Sequence, residues 1–182
     1  MLSLRTNKSG LESAYHGFKK KFRCWRLALK AKKKDIEIAI FSGGLSSQKA
    51  ERIKRSLVHI NKEFGEPSLG RLKNMNKKDA RRFLLSLPGV GKKSADCIMM
   101  YSLGMDVLPV DIHVSRISQR LGLVKKTNNE RIQQELELII PARKRLRYHV
   151  NCVQHGRAVC RGQYPKCGIC CLSTVCPRVG IQ

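Results

Sequence analysis

The sequence predicts an all-α protein. Two observations carry that prediction. No stretch keeps the apolar–polar alternation of a strand, and apolar residues recur at helical spacing between glycine- and proline-marked breaks. Leu11, Tyr15, Phe18 and Phe22 mark the face of a first helix, and Trp25, Leu27 and Leu29 a short second one. Ile36, Ala39 and Ile40 form a third, stopped by Gly43-Gly44. Ala50, Ile53, Leu57 and Ile60 predict a longer helix from about Ser47 to Phe64, followed by a Gly65–Gly70 loop. Asn76 caps the next helix, which carries Ala80, Phe83 and Leu84. Another begins after Gly91, carries Ala95, Ile98, Met99 and Leu103, and ends near Gly104. Asp111 caps a helix to about Leu121, Asn128 or Asn129 starts one that reaches Pro141, and a last runs from about Ala142 to Ala158.

The chain has 182 residues, enough for one ordinary domain or two small lobes. The reading divides it into residues 1–124, with a helix–turn–helix unit at about 78–103, and residues 125–182. Lys and Arg number 37 against 13 Asp and Glu, a net charge of +24. Such an excess repels itself in a compact fold and calls for a polyanionic partner. There is no apolar run near 18 residues, so a membrane is not expected as that partner. The first residues are too short and polar for a signal peptide, which predicts a reduced, intracellular compartment. The runs Lys19–Lys21 and Lys30–Lys34 read as a solvated face adding long-range attraction to such a polyanion.

The stretch Leu87-Pro88-Gly89-Val90-Gly91-Lys92-Lys93-Ser94-Ala95 organises the rest. A Pro-Gly-Val-Gly hairpin between two helices lets backbone approach another surface closely. Unpaired N–H groups there and at the start of the second helix suit a phosphate oxygen. This reads as a helix-hairpin-helix clamp on a DNA backbone, with Leu87, Gly89, Val90, Gly91 and Lys92 as the contacting stretch; an ordinary helix–turn–helix connection is the plainer alternative. Lys92 and Lys93 read most plainly as two phosphate-contacting charges; neighbours on a helix diverge by about 100°, so at most one of them faces a given pocket. A free lysine amine is a nucleophile that forms Schiff bases. Eighteen residues after Lys93 comes Asp111, which serves as an N-cap and equally as a carboxylate stabilising positive charge near an anomeric carbon.

Five of the eight cysteines lie between Cys160 and Cys176. Cys160-x6-Cys167-x2-Cys170-x5-Cys176 offers four thiolates in one loop, which suits zinc or a [4Fe–4S] cluster; spacing alone leaves both open.

The segment Leu87 to Ala95, followed by Pro109-Val-Asp-Ile-His-Val, Arg116 and Arg120-Leu-Gly-Leu, resembles the endonuclease III family of helix-hairpin-helix DNA glycosylases. The 6-2-5 cysteine spacing, led in by His155-Gly156-Arg157, is similar to that family's iron–sulfur loop. The resemblance implies a two-lobed helical glycosylase fold with a C-terminal [4Fe–4S] loop. Lys93 would be the nucleophile and Asp111 its partner. Cys160, Cys167, Cys170 and Cys176 would hold the cluster, with Cys171 a spare thiol. The implied activity is a bifunctional DNA glycosylase and abasic-site lyase of base excision repair, removing oxidised pyrimidines and cleaving by β-elimination. The implied partner is double-stranded DNA with damaged bases or abasic sites, bound by a monomer, in the cytoplasm and with the nucleoid if the source is prokaryotic. Arg161 and Lys166, between the first two cysteines, would meet phosphates.

Gly43-Gly44-Leu45-Ser46 resembles the loop whose apolar residue enters the base stack, which makes Leu45 the wedge. A helix-start leucine packed inward is the alternative. Ser3-Leu4-Arg5-Thr6-Asn7 is similar to a segment whose glutamine fills the gap left by a flipped nucleotide; Leu4 stands in its place, and Asn7 replaces an aspartate. Relatives carry some tens of residues before this point, so the expectation is either an upstream start or a shortened relative. A shortened relative that only binds damaged DNA, or acts as a lyase alone, is the competing function.

Overall fold

In a computed structural model, residue 2 and residues 6–181 are described. Among them are nine α-helices and no strand. The chain forms two compact units, Met1–Gly91 and Lys92–Gln182. Sequence reading divides the chain at 124–125 instead. The core explains the difference: Val110, Val114 and Ile117 are buried with Val124, Ile132 and Leu136 in one cluster, so apolar packing runs across that position.

The first unit begins with α1 (Lys8–Lys21), capped by the Asn7 side chain on the Gly10 N–H at 2.8 Å. Its buried face is Ala14, Phe18 and Phe22; Tyr15 stays half exposed, off the face predicted for it. Helices α2 (Trp25–Lys30), α3 (Lys33–Ala39) and α4 (Ser46–Phe64) follow. Ala28, Ile36, Ile40, Ala50, Ile53 and Leu57 complete this core. Lys54 binds the Leu29 and Ala31 carbonyls, which closes the C-terminus of α2 with a cation. Both basic runs are exposed as expected, with Lys21 paired to Asp35 at 3.1 Å. Asn76 caps α5 (Lys77–Ser86) by accepting from the Asp79 N–H.

The second unit begins with α6 (Lys92–Tyr101). Asp111 caps α7 (Ile112–Arg120), and Asn128 caps α8 (Asn129–Ile139). The final helix α9 runs Arg145–Ala158. It starts three residues later than the sequence suggests, because Ala142–Lys144 after Pro141 is a 3-10 turn. Helices α7 and α9 pack closely. A Cβ on buried Gly156 would stand 2.6 Å from His113 Nδ1 and 3.0 Å from its Cβ, so only glycine fits that crossing. No helix of the described residues is long and apolar enough to cross a membrane.

Candidate functional site

Asp111 is fixed by backbone. It enters α7 in an extended conformation, and its Oδ1 accepts from the N–H groups of His113 and Val114, both at 2.9 Å. The capping role anticipated from sequence is therefore present, and it leaves a half-buried carboxylate with one oxygen held by the helix. Lys93 lies exposed in the first turn of α6. Its neighbour Lys92 turns to Glu130, Nζ to Oε2 2.6 Å. The divergence expected of adjacent lysines is observed.

Lys93 and Asp111 act on the same two groups. Burial raises the Cys97 thiol pKa; Lys93 opposes that shift by charge and hydrogen bonding, and Asp111 adds to it. Burial lowers the His149 pKa; the Pro109 carbonyl and Asp111 oppose the shift, and Lys93 adds to it. His149 Nδ1 lies 2.9 Å from Pro109 O. A carbonyl only accepts, so the ring proton sits on Nδ1. The Tyr101 ring meets His149 edge to face at 5.8 Å, and burial raises the Tyr101 pKa, with Cys97 and Asp111 adding. Cys97, Tyr101 and His149 were not identified from sequence. A signal existed for two of them: Lys93, Cys97 and Tyr101 are spaced i, i+4, i+8 on one helix face.

The hairpin is a tight turn in which the Val90 N–H donates to Leu87 O at 3.1 Å and Gly89 adopts φ +78°. Leu87 and Val90 are buried, at 4% and 9% exposure, and their N–H groups are taken by Leu84 O and Leu87 O, so neither is the phosphate contact expected from sequence; they pack the turn and leave Gly89 and Gly91 to present backbone. Leu45 does the reverse. It is 41% exposed and left-handed at φ 50°, so it is not the inward-packed helix start weighed from sequence. Leu4 lies outside the described residues.

Cys160, Cys167, Cys170 and Cys176 line one small cavity that is partly open to solvent; Cys171 is exposed and does not line it. Among the described residues, no three His, Cys, Asp or Glu side chains are grouped closely enough to hold one metal ion. Two of the sulfurs receive hydrogen bonds, Cys160 from Arg120 Nη1 at 3.3 Å and Cys170 from the Leu172 N–H at 3.4 Å. Arg120 is buried and also donates to the carbonyls of Arg161 at 2.6 Å and Gly162 at 3.0 Å. One turn earlier, Arg116 donates to Cys160 O and Gly156 O and lies 3.1 Å from His113 Nδ1. The two arginines tie the cysteine loop to the helix that Asp111 caps. The Arg161 and Lys166 side chains are exposed on that loop.

Residues 1–142 match the family model described as HhH-GPD superfamily base excision DNA repair protein. Endonuclease III of Synechocystis is 36% identical over 146 residues, covering 80% of this chain and 63% of that protein. Endonuclease III of Thermotoga maritima is 34% identical over 176 residues, covering 97% and 78%. The solved structure of a trapped endonuclease III–DNA covalent intermediate superposes with a TM-score of 0.80 at 26% identity, over 97% of this chain and 79% of that one. The chain belongs to the HhH-GPD superfamily of base excision DNA repair proteins and, within it, to the endonuclease III family. It spans slightly under two thirds of the Synechocystis relative.

Proposed function

We propose that this chain is a bifunctional DNA glycosylase and abasic-site lyase acting on oxidised pyrimidines in duplex DNA. The observation that carries the reading is a solvent-accessible lysine, Lys93, in the first turn of α6, in a unit whose Asp111 carboxylate is held rigidly as the cap of α7. The +24 charge brings the protein to DNA by counterion release, so binding weakens with salt. The N–H groups of Gly89 and Gly91 take phosphates, and so do those at the start of α6 together with Lys92, Arg161 and Lys166. Leu45 occupies the gap as the damaged nucleotide turns out.

Lys93 Nζ attacks C1′, and the base leaves with the electron pair of the glycosidic bond. Asp111 stabilises the positive charge that develops at C1′. The sugar ring opens to a Schiff base on Lys93. Loss of a C2′ proton then expels the 3′ phosphate, and water releases the lysine. Neutral Nδ1-protonated His149 holds the Pro109 carbonyl just ahead of Asp111 and so fixes where the carboxylate stands.

The cysteine cavity fits a [4Fe–4S] cluster. Four thiol side chains line one space, a donor set that suits four irons with a thiolate each, and their 6-2-5 spacing is similar to the family's iron–sulfur loop. Cys160, Cys167, Cys170 and Cys176 would hold it. Bound there, the cluster supplies a rigid cross-link that sets the Arg161–Lys166 loop. The protein works as a monomer within the cell, where its DNA is.

Borohydride trapping on two duplexes tests the function, one carrying an abasic site and one thymine glycol. Trapping on both is expected. Trapping on the abasic site alone identifies a lyase without base excision, and binding with no trapping identifies a non-catalytic relative.

A further inference from the structure

Lys49 is 1% exposed, among the most buried side chains of the first unit. Its Nζ donates to Gly43 O at 2.7 Å. A buried ammonium needs such an acceptor, because leaving it unpaired costs several kcal/mol. The bond therefore fixes the direction of the Gly43 carbonyl. Residues 41–43 form a 3-10 turn, and the chain then takes two successive positive-φ positions, Gly44 at φ 65° and ψ 159° and left-handed Leu45 at φ 50°. For leucine that conformation is strained, so something must hold it.

The turn is gripped from two sides. On one side lies α1: a Cβ on Gly43 would stand 3.0 Å from Ala14 Cβ, and a Cβ on Gly10 would stand 3.1 Å from Ser42 O. On the other is Lys49, whose own N–H closes the first turn of α4 on Leu45 O at 3.0 Å. Lys49 thus binds backbone on both sides of Gly44, by main chain after it and by side chain before it. The sequence gives lysine at this place no evident role, since a lysine four residues into a helix reads as solvated.

We infer that Lys49 is a positioning residue for strand opening: its buried ammonium, bound to the Gly43 carbonyl, holds the Gly44–Leu45 turn in the left-handed form that directs Leu45 outward into the base stack. This rests on the reading of Leu45 as the wedge. Without the ammonium, the turn relaxes, Leu45 returns to right-handed backbone, and the leucine no longer fills the gap.

The test uses the full chain and a duplex with 2-aminopurine beside a thymine glycol. Fluorescence on binding reports unstacking, and covalent trapping on a preformed abasic site is read in parallel. Leu45→Ala is expected to lower the unstacking signal relative to trapping about tenfold. Lys49→Met keeps the apolar stem and removes the charge; it is expected to lower the same ratio to a similar extent, and the double variant to fall no further than either single one. Lys49→Gln, which retains a donor, is the second variant if Lys49→Met melts early. A Lys49 variant that melts like the parent and keeps the parental ratio, while Leu45→Ala loses it, overturns this inference and leaves the wedge standing. An unchanged ratio in Leu45→Ala removes the wedge itself, and this inference with it.

Discussion

The two ends of α7 are built in different ways. At its N-terminus, Asp111 is held by amides two and three residues on. At its C-terminal half, Arg116 and Arg120 reach carbonyls of α9 and the cysteine loop 40 to 44 residues away. One end is a local device whose parts are adjacent in the chain. The other is a tertiary clasp that exists only when α9 and the loop are folded against it. Damage to the first should therefore remove chemistry and spare the fold, and damage to the second should remove the fold and chemistry with it.

The largest effect on that comparison comes from Asp111→Asn. An asparagine oxygen still accepts from the two N–H groups, so melting is expected to shift by less than about 1 kcal/mol. Base excision is expected to fall on the order of a thousandfold, measured by single-turnover release of thymine glycol. The clasp end predicts the opposite pattern. Arg120→Met removes three hydrogen bonds from a buried guanidinium and is expected to destabilise by about 2–4 kcal/mol. Thermal melting measures that, and iron and sulfide per chain, with visible absorbance, should fall in step. Gly156→Ala presses a methyl against His113 where α7 and α9 cross and is expected to cost about 1–3 kcal/mol.

The smallest effect is acid sensitivity. The His149 pKa is held below its ordinary 6.5 by burial, and so is that of His113. Unfolding lets both take up protons. Their contribution is complete above pH 6.5 and is lost as pH falls through their lower folded values. Urea melts from pH 7.5 to 5 should show stability declining below about 6.5, and His149→Gln, whose amide still reaches Pro109 O, should flatten part of that slope.

The same contrast explains what the sequence made legible. Caps and glycine turns are local, so Asn76, Asp111 and Asn128 as caps, the hairpin at Gly89 and most helix limits could be read residue by residue. That four cysteines would share one cavity was legible because their loop is short. Arg120 and Gly156 carried only a family likeness, because their work is a contact with something tens of residues distant. Tyr15 was misplaced on the apolar face because an aromatic at helical spacing looks alike whether it lines a core or borders an open groove. Here it flanks an apolar groove with Trp25 and Leu69. Lys49 was missed for the opposite reason: its charge signals solvent, and only the position of the Gly43 carbonyl shows why it is inside.

The central claim is that Lys93 is the nucleophile. Borohydride reduction on an abasic duplex, followed by digestion and mass spectrometry, places the sugar on one residue. The account predicts the remnant on Lys93, with Lys93→Ala giving no covalent product while still binding DNA. A remnant on Lys92 or any other amine, or undiminished trapping by Lys93→Ala, would contradict it.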